Sequence, residues 1–248
     1  MPARITAFCP PDALLEASAS GTLFLDARES RHVVSVLRAR PGQTIQLIDG
    51  TGTRGEARLT EADPRSASLE LTGVAQVPEP DQPLWIAVGL PKGKAFDAII
   101  RGLTELGVAA CIPLITEHTE ARPDTPDRAR TKAGKWRATA IEACKQSGNP
   151  RLPVIPEPVP LINWLQDTPQ APVKWVASLA ATTAPADPPR PASAHGLRLG
   201  LVGPEGDFSD AEYRAIAEAG FTPLSLGPHI LRTETAAQAL AVRLTAGI

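Results

Sequence analysis

The sequence predicts an α/β protein in two unequal parts: a small β-rich unit, then a larger unit with a mostly parallel sheet covered by helices. Three observations carry this reading. Up to about residue 75, short stretches of apolar alternation end in turn residues. A proline-rich polar segment, "AQVPEPDQP" at 75–83, follows as the linker. Beyond it, continuous apolar runs alternate with helical stretches, as expected of strands buried on both faces and joined by crossover helices. The division expected is therefore 1–75 and 76–248.

In the first part, "GTLFLDA", "QTIQLIDG", "TRGEARLT" and "SASLELTGV" read as strands. One short helix interrupts them at "ESRHVVSVLRAR", where Val33, Val36 and Leu37 share a face and Pro41-Gly42 stops the chain. Short strands with a single helix point to a small barrel. In the second part "LWIAVGL" (84–90) is a buried strand. The helix "AFDAIIRGLTELG" follows, with Phe96, Ile99, Ile100, Leu103 and Leu106 on one stripe and Gly107 at its end. "VAACIPLI" is a further strand, and a long helix covers about 127–147. "VKWVASL", "LRLGLVG" and "TPLSLG" are strands, the last two followed by the helices "SDAEYRAIAEAG" and "TAAQALAVRLTAG". Residues 180–195 read as a mobile loop.

Composition narrows the function. With 43% apolar residues the chain supports a real core, and a net charge of −2 gives no global basic field for nucleic acid, though a local patch would suffice. Cys9, Cys111 and Cys144 are too few and too scattered for a disulfide framework or a metal cluster, so no metal is expected and a reducing compartment fits. The N-terminus has no signal core, and no run approaches the roughly 20 apolar residues of a membrane span. A soluble cytoplasmic protein is expected.

The stretch "LVGPEGDF" (201–208) places two glycines at the carboxyl end of a strand, just before the capping box Ser209–Glu212 opens a helix. Its spacing is not GxGxxG, and "GLPKGKAF" (89–96) is not a Walker loop. No GxSxG elbow and no HExxH occur. What remains is a strand-end crevice with backbone N–H groups near a helix start, where open α/β sheets place ligands. "LSLGPHILRTETAAQAL" (224–240) repeats the design: a strand, Gly227-Pro228, then Thr233 or Thr235 capping a helix. Two such loops from one sheet can line a single pocket. Arg232 and Glu234 lie between them, either as site residues or as a surface ion pair.

These stretches, together with "FDAIIRGLTELGV", "KWRATAIEACKQSG" and "RHVVSVLRARPGQTIQLIDGTG", resemble the RsmE family of ribosomal small-subunit RNA methyltransferases, which belong to the SPOUT methyltransferases and act on N3 of one uridine. The resemblance covers nearly the whole chain. It implies a SPOUT-type C-terminal domain with a trefoil knot around a mostly parallel sheet, an N-terminal PUA-like β-barrel, S-adenosylmethionine as cofactor, and a homodimer. The cofactor residues it implies are Leu179, Leu201, Gly203, Gly206, Leu226, Gly227, Ile230 and Leu231. The glycines would admit backbone close to adenine and ribose, and the apolar side chains would wall the ring.

Methyl transfer to N3 requires loss of its proton and alignment with the sulfonium methyl. Arg232 is expected to stabilise the uracil anion, and Glu205 or Glu234 to act as base or orienting group. For RNA contact, Arg4, Arg31, His32 and Arg38 in the stretch that matches the family, and Lys92 and Lys94 after a strand end, are expected to touch phosphates. Residues 122–151 hold eight Lys or Arg against three Asp or Glu. Lys132, Lys135, Arg137, Lys145 and Arg151 thus form a second basic patch, or else a solvated helix face. The chain departs from the family in Asp207 for Gly, His118 for Arg, Lys145 for an acid and Arg101 for Lys. Two further readings stand beside the uridine methyltransferase: a related SPOUT enzyme acting on another RNA, and a non-catalytic RNA-binding assembly factor in ribosome assembly.

Overall fold

The computed structural model describes residues 5–120, 122–178 and 196–245. Arg4, Leu179 and the loop expected at 180–195 lie outside the described residues. The chain divides into a smaller unit, residues up to Glu79 together with Ile141–Leu152, and a larger one, Pro80–Ala140 with Pro153 onward.

The smaller unit carries five strands, β1 (Thr6–Phe8), β2 (Thr22–Phe24), β3 (Thr44–Ile48), β4 (Thr53–Glu61) and β5 (Ser68–Gln76), in the order β1-β3-β4-β5-β2. All neighbours are antiparallel except β1 and β3. Along β4 buried Gly55, Ala57 and Leu59 alternate with exposed neighbours, the period-two signature of a half-buried strand. Side chains next to both edge strands, Cys9 and Leu25, meet in one core with Ile45, Leu47, Leu59 and Leu69.

The N-terminal helices differ from expectation. Helix α1 (Pro11–Ser20) was not anticipated; Pro11 opens it, and Gly21 at φ 76 closes it with its N–H on the Ala17 carbonyl. Helix α2 (Ala27–Arg31) starts at the Asp26 cap and runs into a π-helical turn at His32–Val36. It ends before Pro41, because Arg38 turns left-handed at φ 55.

The larger unit is a six-stranded, wholly parallel sheet. Its strands are β6 (Leu84–Gly89), β7 (Ala110–Ile115), β8 (Val159–Pro160), β9 (Val173–Ala177), β10 (Arg198–Val202) and β11 (Thr222–Leu224), in the order β11-β9-β10-β6-β7-β8. Its helices are α3 (Ala95–Glu105), α4 (Pro126–Ser147), α5 (Leu161–Gln166), α6 (Asp210–Glu218) and α7 (Thr233–Thr245). The last turns of α4 group with the smaller unit. The two-residue β8 and the short α5 were not anticipated.

Alternation along β10 assigns its two faces. Leu199 and Leu201 enter a core with Trp164 of α5 and Ile216 of α6. On the opposite face Gly200 admits α7, since a Cβ there would lie 2.6 Å from Ile86 Cδ1 and 2.9 Å from Leu240 Cδ2. Small residues Ala236, Ala237 and Ala241 are buried along α7 and allow the same close packing. The consequence is that α7 lies on the middle of the sheet although the strand before it, β11, forms the edge.

Candidate active site

The two glycine loops leave the carboxyl ends of β10 and β11 and line one cavity of about 280 Å³. Its wall combines Val202–Glu205 and Asp207, Ser225–Gly227, His229–Thr233 and Ala236, with Ala177 and Ser178 from the end of β9. Of the residues expected at the cofactor, Gly203, Leu226, Gly227, Ile230 and Leu231 are in this lining, as are Glu205 and Arg232.

Three expected residues lie elsewhere. Leu201 is fully buried in the core of the sheet, and its neighbour Val202 lines the cavity instead, because successive strand residues face opposite ways. Gly206 lines an adjacent cavity. Glu234 is half-buried in the first turn of α7 and not part of the lining. Helix α7 itself begins at Thr233. Sequence reasoning missed Ser178, Ser225 and His229; the strand-end position of the two serines was the available signal.

The glycines serve the loop more than the ligand. A Cβ on Gly203 would come within 2.8 Å of Asp207 Oδ1, and one on Gly206 within 2.9 Å of His118 Cβ. Gly89, at the end of β6, faces Pro204, where a Cβ would lie 2.5 Å from Cδ. Of Gly89, Gly203, Gly206 and Gly227, the last alone, at φ 138, opens onto free space.

The loop 203–207 is held from several sides. The Glu205 carboxylate accepts from the Lys92 backbone N–H at 3.1 and 3.3 Å. Asp207 is left-handed at φ 58, the conformation glycine adopts freely. Its carboxylate accepts from Phe208 N–H at 2.9 Å and from the Tyr213 hydroxyl at 2.9 and 3.0 Å. Burial pushes the Tyr213 phenol up to about 12, so it remains a donor. His118 Nδ1 lies 3.0 Å from the Asp207 carbonyl.

The capping box forms, and its Glu212 also accepts from Glu117 N–H at 2.8 Å, tying the turn after β7 to α6. That turn, 116–119, is braced by Arg122, which donates to the carbonyls of Thr116, Glu117 and Thr119. The second cavity, about 470 Å³, is lined by Lys92, Glu117, His118, Thr119, Glu120, Glu205 and Gly206.

Of the basic residues, Arg31 and Arg38 are exposed and His32 is half-buried. Lys94 is exposed, while Lys92 pairs with Glu120 at 2.8 Å. In the second patch Lys135 and Arg137 face solvent. Lys145 and Arg151 do not belong to a free basic surface. Lys145 is buried against Glu29, and Arg151 donates to the carbonyls of Thr51 and Val77. A Cβ on Gly52 would strike the Arg151 guanidinium at 2.5 Å. The three cysteines are buried, and burial raises their thiols, so none is poised as a nucleophile. Among the described residues no helix is long and apolar enough to cross a membrane, and no cluster of three or more His, Cys, Asp or Glu could hold a metal ion.

A wholly parallel sheet with a cavity at its carboxyl strand ends is the form of an α/β domain that holds a ligand at that edge. The profile of an RNA methyltransferase domain matches residues 78–245, and that of an RNA methyltransferase PUA domain matches 25–72. Ribosomal RNA small subunit methyltransferase E of Synechocystis is 31% identical over 232 residues, covering 91% of this chain and 72% of the relative. The Bacillus subtilis protein of that name is 29% identical over 225 residues, covering 87% and 86%. The crystal structure of the Neisseria gonorrhoeae enzyme bound to S-adenosyl methionine superposes with a TM-score of 0.86 at 28% identity, over 98% of both chains. The chain belongs to the ribosomal RNA small subunit methyltransferase E family.

Proposed function

We propose that the protein transfers a methyl group from S-adenosylmethionine to N3 of a uridine in small-subunit ribosomal RNA. The observation that carries this reading is the convergence of the β10 and β11 loops on one cavity with Glu205 and Arg232 in its wall. The cavity suits the cofactor. Val202, Leu226, Ile230, Leu231 and Ala236 offer apolar surface to an adenine ring. Asp207 offers a carboxylate to the cofactor's cationic amino group. Open space beside Gly227 lets its backbone approach a ligand.

When bound, S-adenosylmethionine supplies an electrophilic sulfonium methyl. The protein's part is to orient the acceptor and to manage the N3 proton. Glu205 accepts that proton, and Arg232 stabilises the negative charge left on the uracil. Glu205 is preferred to Glu234 because it lies on the cavity wall. Exposed Arg31, Arg38 and Lys94, with half-buried His32, serve as phosphate contacts.

The family resemblance further supports a trefoil knot, and the return of α7 from the edge strand to the middle of the sheet agrees with it. A homodimer is supported by Ile230, which is 82% exposed at the cavity rim. The site of action is cytoplasmic rRNA within the small subunit. Cofactor binding by calorimetry, with mass mapping of rRNA from a deletion strain, tests the reading. No binding of S-adenosylmethionine would favour the non-catalytic assembly factor, and loss of a methyl mark from another RNA would favour a related enzyme.

A further inference from the structure

The two cavities sit side by side along one edge of the sheet. The first opens over the ends of β11, β9 and β10, the second over the ends of β10, β6 and β7. Glu205, on the loop after β10, lines both. The two cavities therefore adjoin at that loop. The loop is held in place: Gly89 packs on Pro204, Lys92 N–H holds Glu205, and the His118 side chain packs on Gly206.

The second cavity has the polarity of a base-edge receptor. Lys92 Nζ is a donor whose present partner, Glu120, is exposed and replaceable. His118 uses Nδ1 on the Asp207 carbonyl, which leaves Nε2 as the ring's remaining polar atom, a donor in the imidazolium. Thr119 is not available, because its hydroxyl is engaged with Thr116. The Glu205 carboxylate lines the same cavity as an acceptor. Two donors and an acceptor are the complement, in kind, of the O2, N3–H and O4 edge of uracil, whereas cytosine presents an acceptor at N3 and a donor at N4. Arg122 and Glu212 hold the His118 turn rigidly enough to select.

The geometry points to this second cavity as the acceptor subsite, with Lys92 and His118 as positioning residues that read the uracil carbonyls and aim N3–H at Glu205. The inference rests on the methyl-transfer reading above and adds to it where the base binds and what selects it.

The test uses the full-length protein, small ribosomal subunits lacking the methyl mark, and S-adenosylmethionine. His118→Ala is expected to raise KM for the subunit roughly ten- to hundredfold, the size of a lost hydrogen bond to a charged group, with Kd for S-adenosylmethionine unchanged. His118→Arg, which keeps a cationic donor, should restore most of the affinity. An unchanged KM in His118→Ala, or a parallel loss of cofactor affinity that marks His118 as a mere loop brace, would overturn the inference. Failure of the wild-type protein to bind S-adenosylmethionine would instead overturn the reading beneath it.

Discussion

Lys145 and Glu29, 116 residues apart, form an ion pair almost closed to water: Nζ lies 3.0 Å from Oε1, and the two side chains are 5% and 6% exposed. Glu29 also accepts from Phe8 N–H at 3.1 Å, and Lys145 reaches Glu142 at 3.0 Å. The pair pins the end of α4 within the smaller unit. Removing one partner strands a buried charge. Lys145→Met is therefore expected to destabilise the protein by about 3–5 kcal/mol in urea unfolding. Lys145→Met combined with Glu29→Met should recover part of that loss. A single variant as stable as wild type would contradict the coupling.

Glu205 and Arg232 are expected to separate chemistry from binding. Glu205→Gln keeps an oxygen for the Lys92 N–H but removes the proton acceptor, so kcat should fall about a hundredfold or more at neutral pH while cofactor Kd holds. Arg232→Ala should lower kcat by about 10²–10³ and cofactor affinity far less. Single-turnover kinetics with calorimetry reads both. Full activity in Glu205→Gln would reduce Glu205 to a loop brace.

The fold readable from the sequence is the part set by local pattern. The apolar runs of β6, β7 and β10 report burial on both faces, and the Ser209–Glu212 box marks its helix start unaided. The unread parts depend on distant partners. The three-residue β1 exists through pairing with β3, and α1, rich in Ala and Ser, deeply buries Leu14 and Ala17 alone among its described side chains. Leu201 and Val202 are equivalent in pattern; which one meets the cavity is decided by α7 packing on one face of β10. The burial of Lys145 is set by Glu29, and no local signal announces it.

His118 gives the site a pH dependence. Its hydrogen bond to the Asp207 carbonyl is the main cause of an upward shift, aided by the Gly206 backbone and by the charges of Glu117 and Glu212 and opposed by desolvation. Glu120, Glu205 and Lys92 face the same cavity. A histidine raised above its ordinary value of about 6.5 contributes fully below that value, and the contribution is lost as pH rises through the higher folded value. KM for the ribosomal substrate should therefore rise with pH across that window, and His118→Arg should flatten the profile. An identical pH profile in the two proteins would remove His118 from substrate binding.

The rim of the cofactor cavity predicts association. Ile230 is 82% exposed beside half-buried Leu231, and Val242 on α7 is 46% exposed, so apolar side chains face outward next to the cavity wall and on the helix that packs behind it. Leaving an isoleucine in water forfeits about 1.5–3 kcal/mol of available burial, and a second copy of the chain would recover it twice, once from each protomer. Because Ile230 also lines the cavity, dimerisation and cofactor affinity should be linked. Ile230→Ser is expected to shift the protein from dimer toward monomer in sedimentation at micromolar concentration and to weaken S-adenosylmethionine binding severalfold. The cofactor in turn should tighten the wild-type dimer. A wild-type protein that sediments as a strict monomer with the cofactor bound would refute the association.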